Sequence, residues 1–233
     1  MRIHKDRVYP PLSAVLFDLD GLLINSEVLS QRNALEVCRE MGYAVDETVT
    51  RKMLGANREE CRRILREAVP DVDEEAYARR VRERLFALFR KELRPMPGAC
   101  DFLAFLQERG IPFALATSSA KERVALSLSV TGLDRYFGTV LTGECAARSK
   151  PAPDLFLAAA EALRTPPRNC LVFEDSVNGV RAGHAAGCMV SMVPDIMPYT
   201  EALSDCCDFL LQSLLEAPAL VRALLAREGA RSG

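Results

Sequence analysis

The stretch Ala14-Val-Leu-Phe-Asp18-Leu-Asp20-Gly21-Leu22-Leu23 decides the fold. Its first four residues are apolar and read as a buried strand, and the glycine marks the turn that must follow. Residues i and i+2 of a strand point the same way, so Asp18 and Asp20 start side by side at the strand's carboxyl end. Two like charges placed together cost free energy unless a cation or a reaction needs them.

Outward from that stretch the character of the chain changes. Residues from about 25 to 94 are dense in Arg, Glu and Ala, with apolar residues at helical spacing. Val28, Leu35 and Cys38 line one expected helix. Cys61, Ile64, Leu65 and Ala68 line a second, and Val81, Leu85, Leu88 and Phe89 a third. Gly55 is expected to stop a helix, and Asn57 with Glu60 resembles an N-cap with a capping box. Pro95 and Pro97-Gly98 close the block. Beyond it, helices alternate with short apolar runs at 112–116, 139–142, 170–174 and 188–193, followed by a weak strand at Phe209-Leu210 and a last helix. Strands alternating with helices imply parallel βαβ units and a sheet covered on both faces. The expected fold is therefore α/β, a Rossmann-like parallel sheet covered by helices on both faces. Residues 1–24 plus 95–233 form its core, and 25–94 is an inserted α-helical cap.

Bulk properties exclude several classes. With 30 Lys+Arg against 32 Asp+Glu, the net charge of -2 gives no reason to expect nucleic acid or an anionic membrane as partner. No run approaches the ~18 consecutive apolar residues of a membrane helix. The segment Met1–Pro11 lacks the apolar core of a signal peptide. None of the eight cysteines forms a C-x-x-C pair, so reduced thiols in a cytoplasmic protein are expected.

In an open parallel sheet, ligands bind beyond the carboxyl ends of the strands. The first strand delivers Asp18 and Asp20 there, and the second Thr117-Ser118-Ser119. The region after the third delivers Ser149-Lys150-Pro151, and the fourth Glu174-Asp175-Ser176. Each set alone has a plain structural reading: a turn or calcium motif, a helix cap, a solvated lysine, a helix start. Together they make a set of four carboxylates, a hydroxyl cluster and one lysine. Hard oxygen ligands suit Mg²⁺, which binds through one or two carboxylates plus a phosphate. A lysine and hydroxyls suit phosphoryl oxygens. One aspartate can attack phosphorus, while a second acid serves the leaving alcohol and then the attacking water.

The segments Phe17-Asp-Leu-Asp-Gly21, Thr117-Ser118, Lys150-Pro-Ala-Pro-Asp154 and Phe173-Glu-Asp-Ser-Val-Asn-Gly179 resemble the four motifs of the haloacid dehalogenase-like (HAD) phosphohydrolases. The helical insert resembles the small cap of that superfamily's β-phosphoglucomutase-like branch. Met96-Pro-Gly98, Gly110–Ser119 and Gly187–Asp195 resemble its pseudouridine-5′-phosphatase relatives. The resemblance runs from about Ala14 to Asp195. It implies Asp18 as nucleophile and metal ligand, and Asp20 as general acid/base with its carbonyl on Mg²⁺. It implies Asp175 as a direct ligand and Glu174 as a direct or water-mediated one. Thr117 and the Ser118 N–H would hold phosphoryl oxygens, and Lys150 would bridge Asp18 and phosphate. Gly55-Ala-Asn-Arg58 resembles a cap loop that contacts substrate, which singles out Arg58. The basic run Arg79, Arg80, Arg82 and Arg84 reads as a solvated helix face.

The resemblance thus implies a Mg²⁺-dependent phosphatase acting on a small phosphorylated metabolite, a sugar or nucleoside phosphate, as a monomer or weak dimer. The alternative is a phosphosugar mutase. Ser30 stands where mutase relatives carry a histidine that assists transfer, and the chain has only His4 and His184. A signalling receiver pairs similar residues but lacks a helical cap after its first strand.

Overall fold

The computed structural model describes residues 2–3, 9–53 and 58–229. Strand β1 (Arg2–Ile3) is followed by β2 (Ala14–Phe17) and then by four successive helices. These are α1 (Ser26–Glu40), α2 (Glu47–Lys52), α3 (Arg58–Ala68) and α4 (Glu74–Glu92). Helices and strands alternate from there: α5 (Ala99–Glu108), β3 (Phe113–Ala116), α6 (Lys121–Thr131), β4 (Val140–Leu141), α7 (Asp154–Ala162), β5 (Cys170–Glu174), α8 (Val177–Ala185), β6 (Met189–Met192), β7 (Phe209–Leu210) and α9 (Ala217–Gly229). The strands form one sheet in the order β1-β7-β6-β5-β2-β3-β4, parallel from β7 through β4. This is the expected α/β sheet, with β2 in its interior. The unexpected element is β1, which pairs antiparallel with β7, Arg2 opposite Leu210. Two residues carry no periodicity from which a strand could be read.

Strand alternation sorts the core into two layers. Ala14 and Leu16 point to one face, where they join Val172 of β5, Phe156 of α7 and Val180 of α8. Val15 and Phe17 point to the other and join Phe173, Phe102 of α5 and Leu220 of α9. Phe17 stacks on Phe173 at 5.6 Å between ring centroids and meets Phe102 edge-on at 5.4 Å. Both faces being covered explains why β2 and β5 read as unbroken apolar runs.

The helical block leaves and re-enters at a narrow neck. Ile24 bridges antiparallel to Pro95, Asn25 N–H donates to the Arg94 carbonyl, and Met96 N–H donates to that of Leu23. Within the block α1 packs on α4. The buried Asn33 Nδ2 donates to the Val81 carbonyl at 2.9 Å, and Arg84 pairs with Glu36 and Glu40. Leu35 and Cys38 are buried as expected, but Val28 faces solvent at 51% exposure. Helix α2 carries no apolar period; only the stop expected at Gly55 pointed to a helix ending there. It is short and polar and is held by Asp46, whose carboxylate accepts from the N–H groups of Thr48 and Val49. Gly55 and Asn57 lie outside the described residues. Glu60, the expected capping-box partner, pairs with Arg63.

Candidate active site

Lys150 organises the site. It lies in the loop before α7 and is buried, and its Nζ reaches the carboxyl ends of three strands at once. It donates to Asp18 Oδ1 at 2.6 Å, to Glu174 Oε1 at 2.7 Å and to the Ala116 carbonyl at 3.0 Å. The ring of Phe156 lies 4.6 Å from the ammonium. Burial alone would lower the lysine's pKa, but the two carboxylates push it above its usual range. Burial raises the Asp18 carboxyl to about 7; Lys150 opposes that rise, and Glu174 and Asp20 add to it. Burial and the charges of Glu174, Asp18 and Glu27 likewise raise Asp175.

Glu174 is saturated. Its Oε2 accepts from Asp175 N–H, Ser176 N–H and Ser176 Oγ, each at 3.0 Å, while Oε1 is taken by Lys150. Gly179 in the first turn of α8 makes this possible, because a Cβ there would stand 1.8 Å from the carboxyl group. Glu174, expected as a direct or water-mediated metal ligand, here anchors Lys150 and the turn into α8.

Asp20 sits across the cavity, held by three donors. Ser26 Oγ and Arg123 Nη2 each donate to Oδ1 at 2.6 Å, and Ser119 Oγ donates to Oδ2 at 2.6 Å. Burial works to raise this carboxyl, but Arg123 and the two serines overcome it and hold it below the usual range. Gly21 turns the chain at φ +78°, and a Cβ there would meet Asp175 Oδ2 at 2.3 Å. A side chain is thus excluded both by the left-handed backbone and by the site itself.

Asp18, Asp20, Thr117, Ser118, Lys150, Glu174 and Asp175 all line one cavity of about 440 Å³. Thr117 is buried and its Oγ1 accepts from Ser119 N–H at 3.1 Å; Ser118 is exposed to the cavity. The far wall comes from α1, α2 and α4, including Gln31, Thr50, Tyr77 and Val81. The Arg58 side chain lies outside the described residues. His184 is exposed on α8 and does not line the cavity. Arg79, Arg80 and Arg82 face solvent, as expected.

Five carboxylates of this cavity (Asp18, Asp20, Glu27, Glu174, Asp175) face two cations, Arg123 and Lys150, among the described residues. That imbalance, with oxygen donors throughout, fits a hard divalent cation. No three acidic, His or Cys side chains converge as a metal cage among the described residues.

The family model of haloacid dehalogenase-like hydrolases matches residues 12–187. The chain belongs to this HAD family. It is 33% identical to the phosphorylated carbohydrates phosphatase of Thermotoga maritima, over 76% of this chain and 82% of that protein. It is 34% identical to a Drosophila melanogaster protein named "Probable pseudouridine-5'-phosphatase", over 82% and 85%. The crystal structure of a HAD family hydrolase from Deinococcus radiodurans with bound phosphate and sodium superposes with a TM-score of 0.73, at 32% identity over 94% and 97%. Two neighbours of Asp20 were missed, Ser26 and Arg123, while Ser119 stood in the expected hydroxyl cluster without a partner assigned. Arg123 had a usable signal, since a cation in the first turn of a helix opposes the helix dipole and so needs a partner.

Proposed function

We propose that the chain is a Mg²⁺-dependent phosphatase that hydrolyses a small phosphate monoester through an aspartyl phosphate on Asp18. The observation that carries this reading is Lys150 bridging Asp18 and Glu174 at 2.6 and 2.7 Å, with Asp20 anchored across the same cavity. Asp18 and Asp175, with the Asp20 backbone carbonyl, would hold Mg²⁺. When bound, the ion offsets carboxylate and phosphate charge and orients the phosphoryl group. Asp18 attacks phosphorus as the ester P–O bond breaks; Asp20, ionised in the resting cavity, takes up a proton as the phosphate charge enters beside it and passes that proton to the departing alkoxide. Asp20 then takes a proton from the water that attacks the aspartyl phosphate, releasing inorganic phosphate and regenerating Asp18. Lys150 keeps Asp18 aimed and neutralises charge on the phosphoryl oxygens, which the Thr117 hydroxyl and the Ser118 N–H also receive.

Residues 25–94 act as a cap, joined to the core by the neck at Ile24 and Pro95. Closure excludes water and reads the leaving group. The mixed lining of Gln31, Thr50, Tyr77 and Val81 supports a sugar or nucleoside phosphate. A mutase would need a further group for transfer within the substrate. Ser30 occupies the expected histidine position, and no histidine lines the cavity among the described residues. Every group in this scheme comes from one chain, which supports action as a monomer or weak dimer. All eight cysteines are free, which supports a reducing compartment such as the cytoplasm. No helix among the described residues is long and apolar enough to cross a membrane.

The test is phosphate release from a panel of sugar and nucleoside phosphates with Mg²⁺ and with chelator. Release should require Mg²⁺ and should vanish in Asp18→Asn, whose amide is a poor nucleophile. Faster interconversion of sugar phosphates than release of phosphate would instead establish the mutase.

A further inference from the structure

We propose that Arg123 is the positioning residue for Asp20, fixing the acid from the core while its guanidinium rests against the cap. This inference rests on the phosphatase reading above. Arg123 Nη2 donates to Asp20 Oδ1 at 2.6 Å and lies 3.4 Å from Ser30 Oγ of α1. The guanidinium sits 5.2 Å from the ring centroid of Phe89 of α4, which is fully buried. Its Nε is buried with no hydrogen-bond partner. A cation in the first turn of α6, with a buried donor left unmade, is costly on both counts. The contact to Asp20 and the aromatic face offset that cost.

The other two donors to Asp20 are hydroxyls, whose hydrogens rotate to suit any acceptor. The guanidinium alone is planar and fixed in direction, and it is always charged. It therefore sets where the carboxylate lies. Two of its neighbours, Ser30 and Phe89, belong to the helical block, whereas Arg123 and Asp20 belong to the sheet side. Glu122, the preceding residue, makes a second tie to α4 through Arg82 at 2.5 Å. The first turn of α6 thus registers the position of the block, and Arg123 passes that position on to the acid, beside the direct bond from Ser26 of α1. Arg123 neither gives nor takes a proton: the proton moves from Asp20 to the leaving oxygen as the Asp18–phosphorus bond forms.

A leaving-group comparison tests this in full-length enzyme with Mg²⁺. p-Nitrophenyl phosphate and phenyl phosphate are close in shape, but p-nitrophenolate departs readily without a proton and phenolate does not. Arg123→Met should lower kcat on phenyl phosphate by about tenfold or more, within the range general acid catalysis supplies, and on p-nitrophenyl phosphate by less than about threefold. KM should change little on either. Arg123→Lys restores the charge without the fork and should fall between Met and wild type in the same ratio; if the Met variant does not fold, this ratio decides. Arg82→Ala, which removes only the exposed pair with Glu122, should leave the ratio unchanged. Equal losses on both esters, or a raised KM at unchanged kcat, would overturn the proposal, the latter by assigning Arg123 to substrate binding. Wild-type enzyme inert on both esters would instead overturn the phosphatase reading itself.

Discussion

Lys150 is one buried ammonium holding two buried carboxylates, and the site's geometry depends on it. Lys150→Met should leave Asp18 and Glu174 facing each other without their cation. Removing one partner of a buried ionic cluster costs about 3–5 kcal/mol. Denaturant unfolding of the metal-free variant should show that loss, and phosphate release should be abolished. Gly179→Ala makes a subtler demand, because its methyl group would stand 1.8 Å from the Glu174 carboxyl. Glu174 must then move, and Lys150 with it, so kcat should fall well before the fold fails; a kcat within twofold of wild type, roughly the scatter of such context effects, would show that Glu174 is not the anchor. At this scale the sequence was readable where chemistry followed strand period. Asp18 and Asp20 sit two apart on one strand, and the other groups follow strand ends. It was unreadable where partners meet across the chain. Arg123 reaches Asp20 across 103 residues, a contact that no local pattern encodes.

Among the elements, β2 is the one on which the others converge. Phe17 is fully buried and touches rings from β5 and α5, so Phe17→Ala should cost about 3–5 kcal/mol in equilibrium unfolding. A loss below about 1 kcal/mol would mean that the aromatic cluster collapses around the gap. The strands β2 and β5 were legible to the residue because both faces are covered and the apolar runs are unbroken. The run at 139–142 contributes only Val140–Leu141, at the sheet edge where pairing comes from one side. Helix α2 showed only in the glycine expected to end it, and strand β1 left no trace in the pattern. One rests on a polar cap and the other on two backbone pairings, and neither has an apolar period to read.

For the molecule as a whole, the crowded carboxylates link stability to pH and to metal. Burial raises Asp18 from 3.8 and Glu27 from 4.5, each to about 7. The folded state therefore holds these protons more tightly than the unfolded state. The stability this contributes is complete below the unfolded values and is lost as pH rises through about 7. The lowered Asp20 has the opposite sign, but its contribution is lost only as pH falls below 3.8, outside that window. The Tm of metal-free protein should thus fall as pH rises from about 4.5 to about 7, and Mg²⁺ should restore more of it at the upper end. A metal-free Tm that climbs across this window would contradict the charge balance described for the cavity. The central claim, that Asp18 carries the phosphoryl group during turnover, is tested most directly by acid-quenching wild-type enzyme during turnover of p-nitrophenyl phosphate with Mg²⁺ and mapping its peptides by mass. A peptide containing Asp18 should gain the mass of one phosphoryl group, transiently and in a form labile to hydroxylamine, and the Asp18→Asn peptide should not. A phosphoryl group on any other residue, or full turnover by Asp18→Asn, would contradict the account.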